Sequence, residues 1–194
     1  MSMTTVNLVA VSGGLSRPSA TRLLVDHLVA EVGRLLGEQG RVAQVRVVDV
    51  RDHAVDVTRM LLTGVDTPAL RDAVTAVEQA DLLIVATPVY RGSYTGPFKS
   101  FFDVVDQRAL TGTPVLLAAS GGSERHALVV DHELRPLFAF FQALTVPTAV
   151  YATASDCTAD LLPDPGLQDR IRRAAGELVR ATPQLAETQT AVTV

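Results

Sequence analysis

An alternation of short apolar runs and amphipathic helical patterns is the sequence feature that most constrains the fold. Each run is rich in β-branched residues and continuously apolar, which is typical of a strand buried on both faces of a sheet. Helical patterns between such strands favour a parallel sheet covered by helices. The predicted strands are Val6–Val11, Val42–Val48, Leu82–Ala86, Pro114–Ala119 and Thr145–Ala152.

The helical patterns carry apolar residues three and four positions apart, as one face of a helix requires. The third of them follows Thr95, a plausible helix cap, with Pro97 in its first turn. In the fourth, Pro136 must lie in the first turn or kink the helix. The predicted helices are Thr21–Glu38, Leu70–Val77, Phe98–Val105, Leu134–Phe141 and Leu167–Val179.

These elements predict an α/β fold with a doubly wound, five-stranded parallel sheet and helices on both faces. Such sheets commonly have the strand order 2-1-3-4-5, with a ligand crevice beyond the carboxyl ends of strands one and three. A chain of 194 residues suits one domain, which we expect to span residues 1–183. Residues 184–194 are polar without periodicity and are predicted to form a flexible C-terminal tail.

Composition excludes several classes of function. The net charge of −4 and the absence of a basic run argue against nucleic acid as a partner. The single cysteine, Cys157, allows neither an intramolecular disulfide nor a thiolate metal cluster. No signal segment opens the chain, and no apolar run approaches the ~20 residues that span a bilayer. We therefore expect a cytoplasmic protein without membrane contact.

Three loops at the predicted crevice are rich in glycine and serine, unlike the rest of the chain. They are the first loop, SGGLSRPSAT (Ser12–Thr21), the second loop, TPVYRGSYTG (Thr87–Gly96), and the third loop, SGGSER (Ser120–Arg125). The predicted order sets strands one, three and four side by side, so the three loops would span about 10–15 Å at ~4.8 Å per strand. The sequence thus predicts one ligand site built from all three.

The first loop has the character of a phosphate site. Its amides and the following helix N-terminus favour an anion, and it offers the hydroxyls of Ser12, Ser16, Ser19 and Thr21 together with Arg17. It has neither the G-x-G-x-x-G turn of dinucleotide sites nor the G-K-[ST] of nucleoside triphosphate loops. The alternative is that one hydroxyl only caps the helix and that Arg17 is solvated.

The other two loops suit a flat ring. After Pro88 ends the strand, Tyr90 and Tyr94 present aromatic faces and hydroxyls to the crevice. Tyr94 packing on the adjacent helix is an equally good interpretation. In the third loop, Gly121 and Gly122 let the backbone approach a ligand closely, or else merely form a tight turn.

Catalytic motifs of other enzyme classes are missing. The chain has no G-x-S-x-G elbow, no H-E-x-x-H and no pair of acids at a strand end. The four histidines are scattered; His27 is expected on a helix surface, and only His126 is placed to reach the crevice. A phosphate site and a flat-ring site without an acid–base pair indicate a cofactor that carries its own chemistry.

The segments TPVYRGSYTGPFKSFFD, SGGLSRPSATRLL and DTPALRDAV resemble the NAD(P)H-dependent FMN reductases with a flavodoxin-like fold. Closest is the branch that supplies reduced flavin to two-component monooxygenases of the luciferase-like and sulfonate-utilising kinds. Many flavodoxin-like reductases carry an arginine early in the first loop, as in G-S-x-R; here Leu15 and Ser16 occupy that position and Arg17 comes later. The resemblance implies FMN and NAD(P)H as ligands, with FMN bound by Ser12, Ser16, Arg17, Pro18, Ser19, Thr21, Pro88, Val89, Tyr90, Arg91, Ser120, Gly121 and Gly122.

The implied reaction is hydride transfer from the nicotinamide to flavin N5, with reduced FMN passed to a monooxygenase. Two alternatives keep the flavin: a reductase of quinones, azo dyes or metal oxyanions with fixed FMN, or a flavodoxin-type electron carrier without nicotinamide activity. A binding module without redox chemistry is a further alternative, but it does not explain the tyrosines of the second loop. The segment Leu137–Leu144 is more apolar than one helix needs, and the family tends to form oligomers, so we expect a homodimer or homotetramer.

Overall fold

The computed structural model describes residues 4–156 and 163–182 of the chain. Its described part contains one parallel sheet in the order β2-β1-β3-β4-β5, with β6 also paired to β4. This is the strand order of flavodoxin-like sheets, so the predicted fold class is confirmed. The strands are β1 (Thr4–Ser12), β2 (Arg41–Asp49), β3 (Leu82–Pro88), β4 (Pro114–Gly121), β5 (Leu144–Thr145) and β6 (Val150–Thr153). Cys157 and the predicted tail, residues 184–194, lie outside the described residues.

The fifth predicted strand, Thr145–Ala152, is wrong as a single element. The chain instead pairs twice with β4, through β5 at Pro114 and Val115 and through β6 at Ala118 to Gly121. Pro147 lies between the two pieces, and it has no N–H to donate to a ladder. An apolar run shows no sign of this interruption except the proline itself.

Helices cover both faces, as predicted. Their bounds are α1 (Ala20–Glu38), α2 (Val50–Thr63), α3 (Pro68–Glu78), α4 (Gly96–Phe102), α5 (Arg135–Phe140) and α6 (Pro165–Arg180). Helix α5 continues directly from a short π-helical turn, Val130–Leu134, and Pro136 lies in the first turn of α5.

Helix α2 was missed by the sequence analysis. Only Val50 and Val57 of its fourteen residues are buried, while Val55 and Leu62 are exposed. Val50, Val57 and the partly buried Met60 share the face toward the core, but the exposed Val55 and Leu62 blur this pattern in the sequence. A further local signal is at the end of the helix, where Gly64 adopts φ 72° and stops it.

Successive strand residues point into two separate cores, as the two-residue period of a strand requires. Val9, Val11 and Val85 face the core under α2 to α5, whereas Leu8 and Ile84 face the core under α1 and α6. The first core contains a cluster of phenylalanine rings from α4, α5 and the turn after α5, namely Phe98, Phe101, Phe102, Phe138 and Phe141. Strands β1, β3 and β4 are thus largely buried between the two cores, whereas β2 at the sheet edge is partly exposed, with Val42 and Val45 open to solvent.

The segment Leu137–Leu144 is only partly covered. Phe138 and Phe141 are buried, whereas Phe140 is 66% exposed and Leu144 is 53% exposed. The expected homo-oligomer stays a prediction. None of the helices in the described ranges has the length and apolar character to cross a membrane.

We expect Glu177→Gln to lower the free energy of unfolding by about 1–3 kcal/mol at pH 7. The Glu177 carboxylate, 13% exposed, accepts hydrogen bonds from the Thr148 N–H at 2.7 Å and from its hydroxyl at 2.8 Å, and so ties α6 to the chain between β5 and β6. Burial by itself raises the pKa of Glu177, but these bonds and Arg173 outweigh it and lower the pKa below its ordinary value.

Because the folded state has the lower pKa, this stabilisation is full above the ordinary glutamate pKa of about 4.3 and is lost as the pH falls below it. Urea unfolding from pH 7 to pH 3 should therefore show the two proteins converging at acid pH. Glu38→Gln, in an exposed pair with Arg34, is the control and should change stability by less than about 0.5 kcal/mol. Equal losses for both variants would contradict the assignment.

Candidate functional site

The three glycine- and serine-rich loops meet at the carboxyl edge of the sheet, as predicted. In register, Ser12 pairs with Ala86 and Pro88 pairs with Ser120, so β1, β3 and β4 end side by side. The N–H of Gly13 donates to the carbonyl of Ala86 at 2.7 Å, and the N–H of Val89 donates to the carbonyl of Ser120 at 2.8 Å. The first and second loops therefore each begin with a backbone hydrogen bond to the neighbouring strand.

Three of the predicted hydroxyls are turned into the protein. Thr21 and Ser120 are buried, and their hydroxyl oxygens lie 2.7 Å apart in a hydrogen bond that joins the first loop to the third. Ser12 is buried as well, and its oxygen accepts from the N–H of Gly14 at 3.4 Å. The hydrogen bonds of these residues hold the first loop in place, within itself and against the third loop.

The outer part of the first loop carries free donors. The backbone N–H groups of Leu15, Ser16 and Arg17 donate to none of the residues in the described ranges. Ser16 and Pro18 are exposed. Ser19 caps α1 by accepting from the N–H of Arg22 at 3.2 Å, which leaves its own O–H proton to donate. Amides, hydroxyls and the N-terminus of a nineteen-residue helix form a donor set that suits a phosphate group.

Two glycines of the first loop have no room for a side chain. A Cβ on Gly13 would lie 2.9 Å from the ring of Phe98, and one on Gly14 would lie 2.0 Å from the Ser19 oxygen. The loop is thus packed against α4 at its start and against its own helix cap further on.

Helix α2 reaches the first loop from the side. Arg17, 72% exposed, pairs with Asp52 at 3.0 Å between Nη2 and Oδ1. Arg51 donates from Nη1 to the carbonyl oxygen of Ser16 at 2.6 Å. Sequence reasoning did not include Arg51 and Asp52 in the site, because it did not predict α2.

The second loop forms a tight hairpin. Tyr90 and Ser93 exchange backbone hydrogen bonds of 2.9 and 3.2 Å, and the residues between them have positive φ, 53° at Arg91 and 83° at Gly92. Positive φ at both central positions is the signature of a type I′ turn. The Ser93 hydroxyl donates to Glu133 at 2.8 Å and anchors the hairpin to the π-helical turn.

The two tyrosines of the second loop differ in environment. Tyr90 is 53% exposed, whereas Tyr94 packs beside Phe98 with ring centroids 6.1 Å apart. Of the two interpretations of Tyr94, the structure thus favours packing on the adjacent helix. Tyr90 remains the aromatic face available to a ligand.

The third loop is held by a tyrosine that sequence reasoning missed. The Tyr151 hydroxyl donates to the carbonyl oxygen of Ser123 at 2.7 Å, and a Cβ on Gly121 would lie 2.1 Å from that hydroxyl. Burial, with a smaller contribution from Asp156, raises the pKa of Tyr151 above its ordinary value, so the phenol stays a donor. In contrast, a Cβ on Gly122 meets no atom within 4 Å.

A cavity of about 420 Å³ opens between the second and third loops, lined by Val89, Arg91, Gly92, Gly122, Ser123 and His126. His126 does line the crevice, since a short 3₁₀ turn, Glu124–His126, follows the third loop. The cavity walls thus combine two glycines without side chains and the cationic or polar side chains of Arg91 and His126. Within the described part of the chain, no three acidic, histidine or cysteine side chains are grouped to bind a metal ion.

Comparison with known proteins agrees with this geometry. The family model for NADPH-dependent FMN reductase matches residues 6–156. The chain is 48% identical over 168 residues to an FMN reductase (NADPH) of Pseudomonas aeruginosa, which covers 87% of this chain and 88% of that protein. It is 49% identical over 174 residues to the NADH-dependent FMN reductase SfnF of Pseudomonas fluorescens, with 88% of each chain covered. A solved oxidoreductase from Corynebacterium diphtheriae superposes with a TM-score of 0.86 at 39% identity, over 93% of this chain and 97% of that one.

Proposed function

Because the chain belongs to the NADPH-dependent FMN reductase family, we propose that it is an NAD(P)H-dependent FMN reductase. The resemblance found in the loop sequences is confirmed. The structural observation that carries the proposal is the junction of the first, second and third loops at one edge of the sheet. A phosphate donor set and a glycine-walled cavity meet there.

We propose that the first loop binds the FMN phosphate. The free N–H groups of Leu15 to Arg17 and the hydroxyls of Ser16 and Ser19 supply donors, and Pro18 shapes the turn between them. Ser12 and Thr21 are buried and act through the loop, which they hold to the sheet and to Ser120.

The second and third loops are proposed to hold the flavin ring. We propose that Pro88, Val89, Tyr90 and Arg91 lie on one side of the ring and that Gly121 and Gly122 lie on the other. Of these residues, Val89, Arg91 and Gly122 line the cavity between the two loops. No side chain at Gly122 limits access to the backbone there, so its amide can approach the pyrimidine edge of a ring. Backbone donors at that edge favour the negative charge of a reduced flavin.

When bound here, FMN would supply the redox chemistry, as the acceptor at N5 of the hydride from C4 of the nicotinamide. The protein's part is to bind both groups, to orient them and to exclude competing reactions, as expected from a sequence without an acid–base pair at a strand end. The positive charge of Arg91 and Arg125 beside the crevice suits an anionic dinucleotide.

The use of the reduced FMN is the finer part of the proposal. We propose that it is released to a flavin-dependent monooxygenase. Two alternatives remain. The first is a reductase of quinones, azo dyes or metal oxyanions with fixed FMN, and the second is a flavodoxin-type electron carrier without nicotinamide activity. The relatives above include one named for NADPH and one named for NADH, so either nicotinamide is a candidate.

A single domain over residues 1–183 and a cytoplasmic location stay predictions.

The test is NADH and NADPH oxidation by purified, flavin-stripped protein, titrated with free FMN. We expect the rate to saturate with FMN and to turn over many equivalents of FMN per subunit. A plateau at one FMN per subunit, with a rate that then follows added quinone, would support the fixed-cofactor alternative. Bound FMN without oxidation of either nucleotide would leave the electron carrier.

A further inference from the structure

Asp52 places a negative charge directly beside the proposed phosphate loop. Its Oδ1 lies 3.0 Å from Nη2 of Arg17 and 3.6 Å from Nε of Arg51. One carboxylate oxygen thus faces two guanidinium groups, that of Arg17 in the first loop and that of Arg51 in α2.

Arg51 is already committed to the backbone of that loop. Its Nη1 donates to the carbonyl of Ser16, and its side chain is only 20% exposed. Its buried Nε has no hydrogen-bond partner among the described residues. Arg51 therefore stays in place, whereas Arg17, at 72% exposure, is the cation free to move.

We propose that Asp52 is an affinity-determining residue that competes with the FMN phosphate for Arg17 and so weakens FMN binding. The inference rests on the proposed function and deepens it. A phosphate on the first loop and the Asp52 carboxylate are both anions that pair with Arg17. Binding of the phosphate thus either leaves Arg17 on Asp52 or breaks that pair. The carboxylate also repels the phosphate directly.

The exposure of the pair sets the size of the effect. Both side chains are more than half exposed, and such pairs contribute little in water, so Arg17 can exchange partners. Removal of the carboxylate charge should therefore tighten FMN binding by about two- to fivefold, not by several orders of magnitude. An enzyme that releases its flavin gains from such a limit, because a weaker complex at a given association rate dissociates faster.

The test compares FMN and riboflavin binding, measured by quenching of flavin fluorescence, for wild type and Asp52→Asn. We expect the Kd for FMN to fall about two- to fivefold in the variant, with a smaller gain at 0.5 M salt. The Kd for riboflavin, which lacks the phosphate, should not change. Asp26→Asn is the matched control, since Asp26 is also 51% exposed and pairs with an arginine, Arg22, but further along α1. Its Kd for FMN should equal that of wild type.

The role of Arg17 is tested in a double variant. In an Arg17→Ala background, Asp52→Asn should lose most of its gain in FMN affinity. A full gain without Arg17, an unchanged Kd for FMN, or equal shifts for FMN and riboflavin would each overturn the inference. Because Asp52 lies in the first turn of α2, urea unfolding of every variant verifies that a shift in Kd is not a loss of fold. These outcomes leave the reductase proposal intact, whereas wild type without any FMN binding would remove both.

Discussion

Replacing Gly122 with phenylalanine is expected to weaken FMN binding by about tenfold or more while leaving the free energy of unfolding unchanged. Nothing lies within 4 Å of a Cβ on Gly122, and its φ is not in the left-handed region. The flavin-free protein therefore accommodates the new ring without a steric clash. It projects from a wall of the 420 Å³ cavity that we assign to the flavin, and overfilling a close contact costs about 1–3 kcal/mol.

The measurement is the Kd for FMN by fluorescence, together with urea unfolding of the flavin-free protein. Gly37→Phe is the control, since Gly37 is equally unobstructed but lies near the far end of α1. It should change neither quantity by much. An unchanged Kd in Gly122→Phe would mean that the third loop does not approach the flavin, whereas a large loss of stability would make the variant uninformative about binding and is not what the open surroundings of Gly122 predict.

Replacing Phe102 with alanine is expected to lower the free energy of unfolding by about 3–5 kcal/mol. Phe102 is 1% exposed at the centre of the aromatic cluster. Its ring centroid lies 4.9 Å from that of Phe98, 5.0 Å from Phe138 and 5.6 Å from Phe101. The truncation opens a cavity that α4 and α5 cannot both close, and a typical domain has only about 5–15 kcal/mol of stability in total.

Phe140→Ala is the matched control for Phe102→Ala. Phe140 is also a phenylalanine at the end of a helix, α5, but it is 66% exposed. It should alter the free energy of unfolding by less than about 0.5 kcal/mol. Equal losses at the two positions, measured by urea unfolding, would refute the burial argument. The two variants thus separate a core phenylalanine from one on the partly covered face of Leu137–Leu144.

Much of the fold could be predicted because its signals are local. The continuous apolar runs of β1, β3 and β4 and the periodicity of α1 depend on residues close in the chain. The same is true of the three loops, whose glycines and serines stand out wherever the chain folds. Their meeting at one edge follows from the strand order 2-1-3-4-5, which is common in doubly wound sheets of five strands.

The site was less predictable where contacts join distant residues. Thr21 and Ser120 are 99 positions apart, and only their hydrogen bond shows that both hydroxyls point inward. Tyr151 supports the third loop by a hydrogen bond from its hydroxyl. The apolar run that contains Tyr151 gives no sequence signal for this bond. Helix α2 was not predicted, because the exposed Val55 and Leu62 obscure its apolar face, and Asp52 was missed as a result.

By itself, therefore, the sequence determined the class of sheet, the identity of the three loops and the family, because period, composition and motif are properties of short segments. Tertiary structure alone decided which hydroxyls of the first loop are buried, which tyrosine of the second loop is exposed and which carboxylate pairs with Arg17. Those outcomes depend on burial and on the direction of each side chain. Both are set by packing between elements far apart in the chain, and no local pattern encodes them.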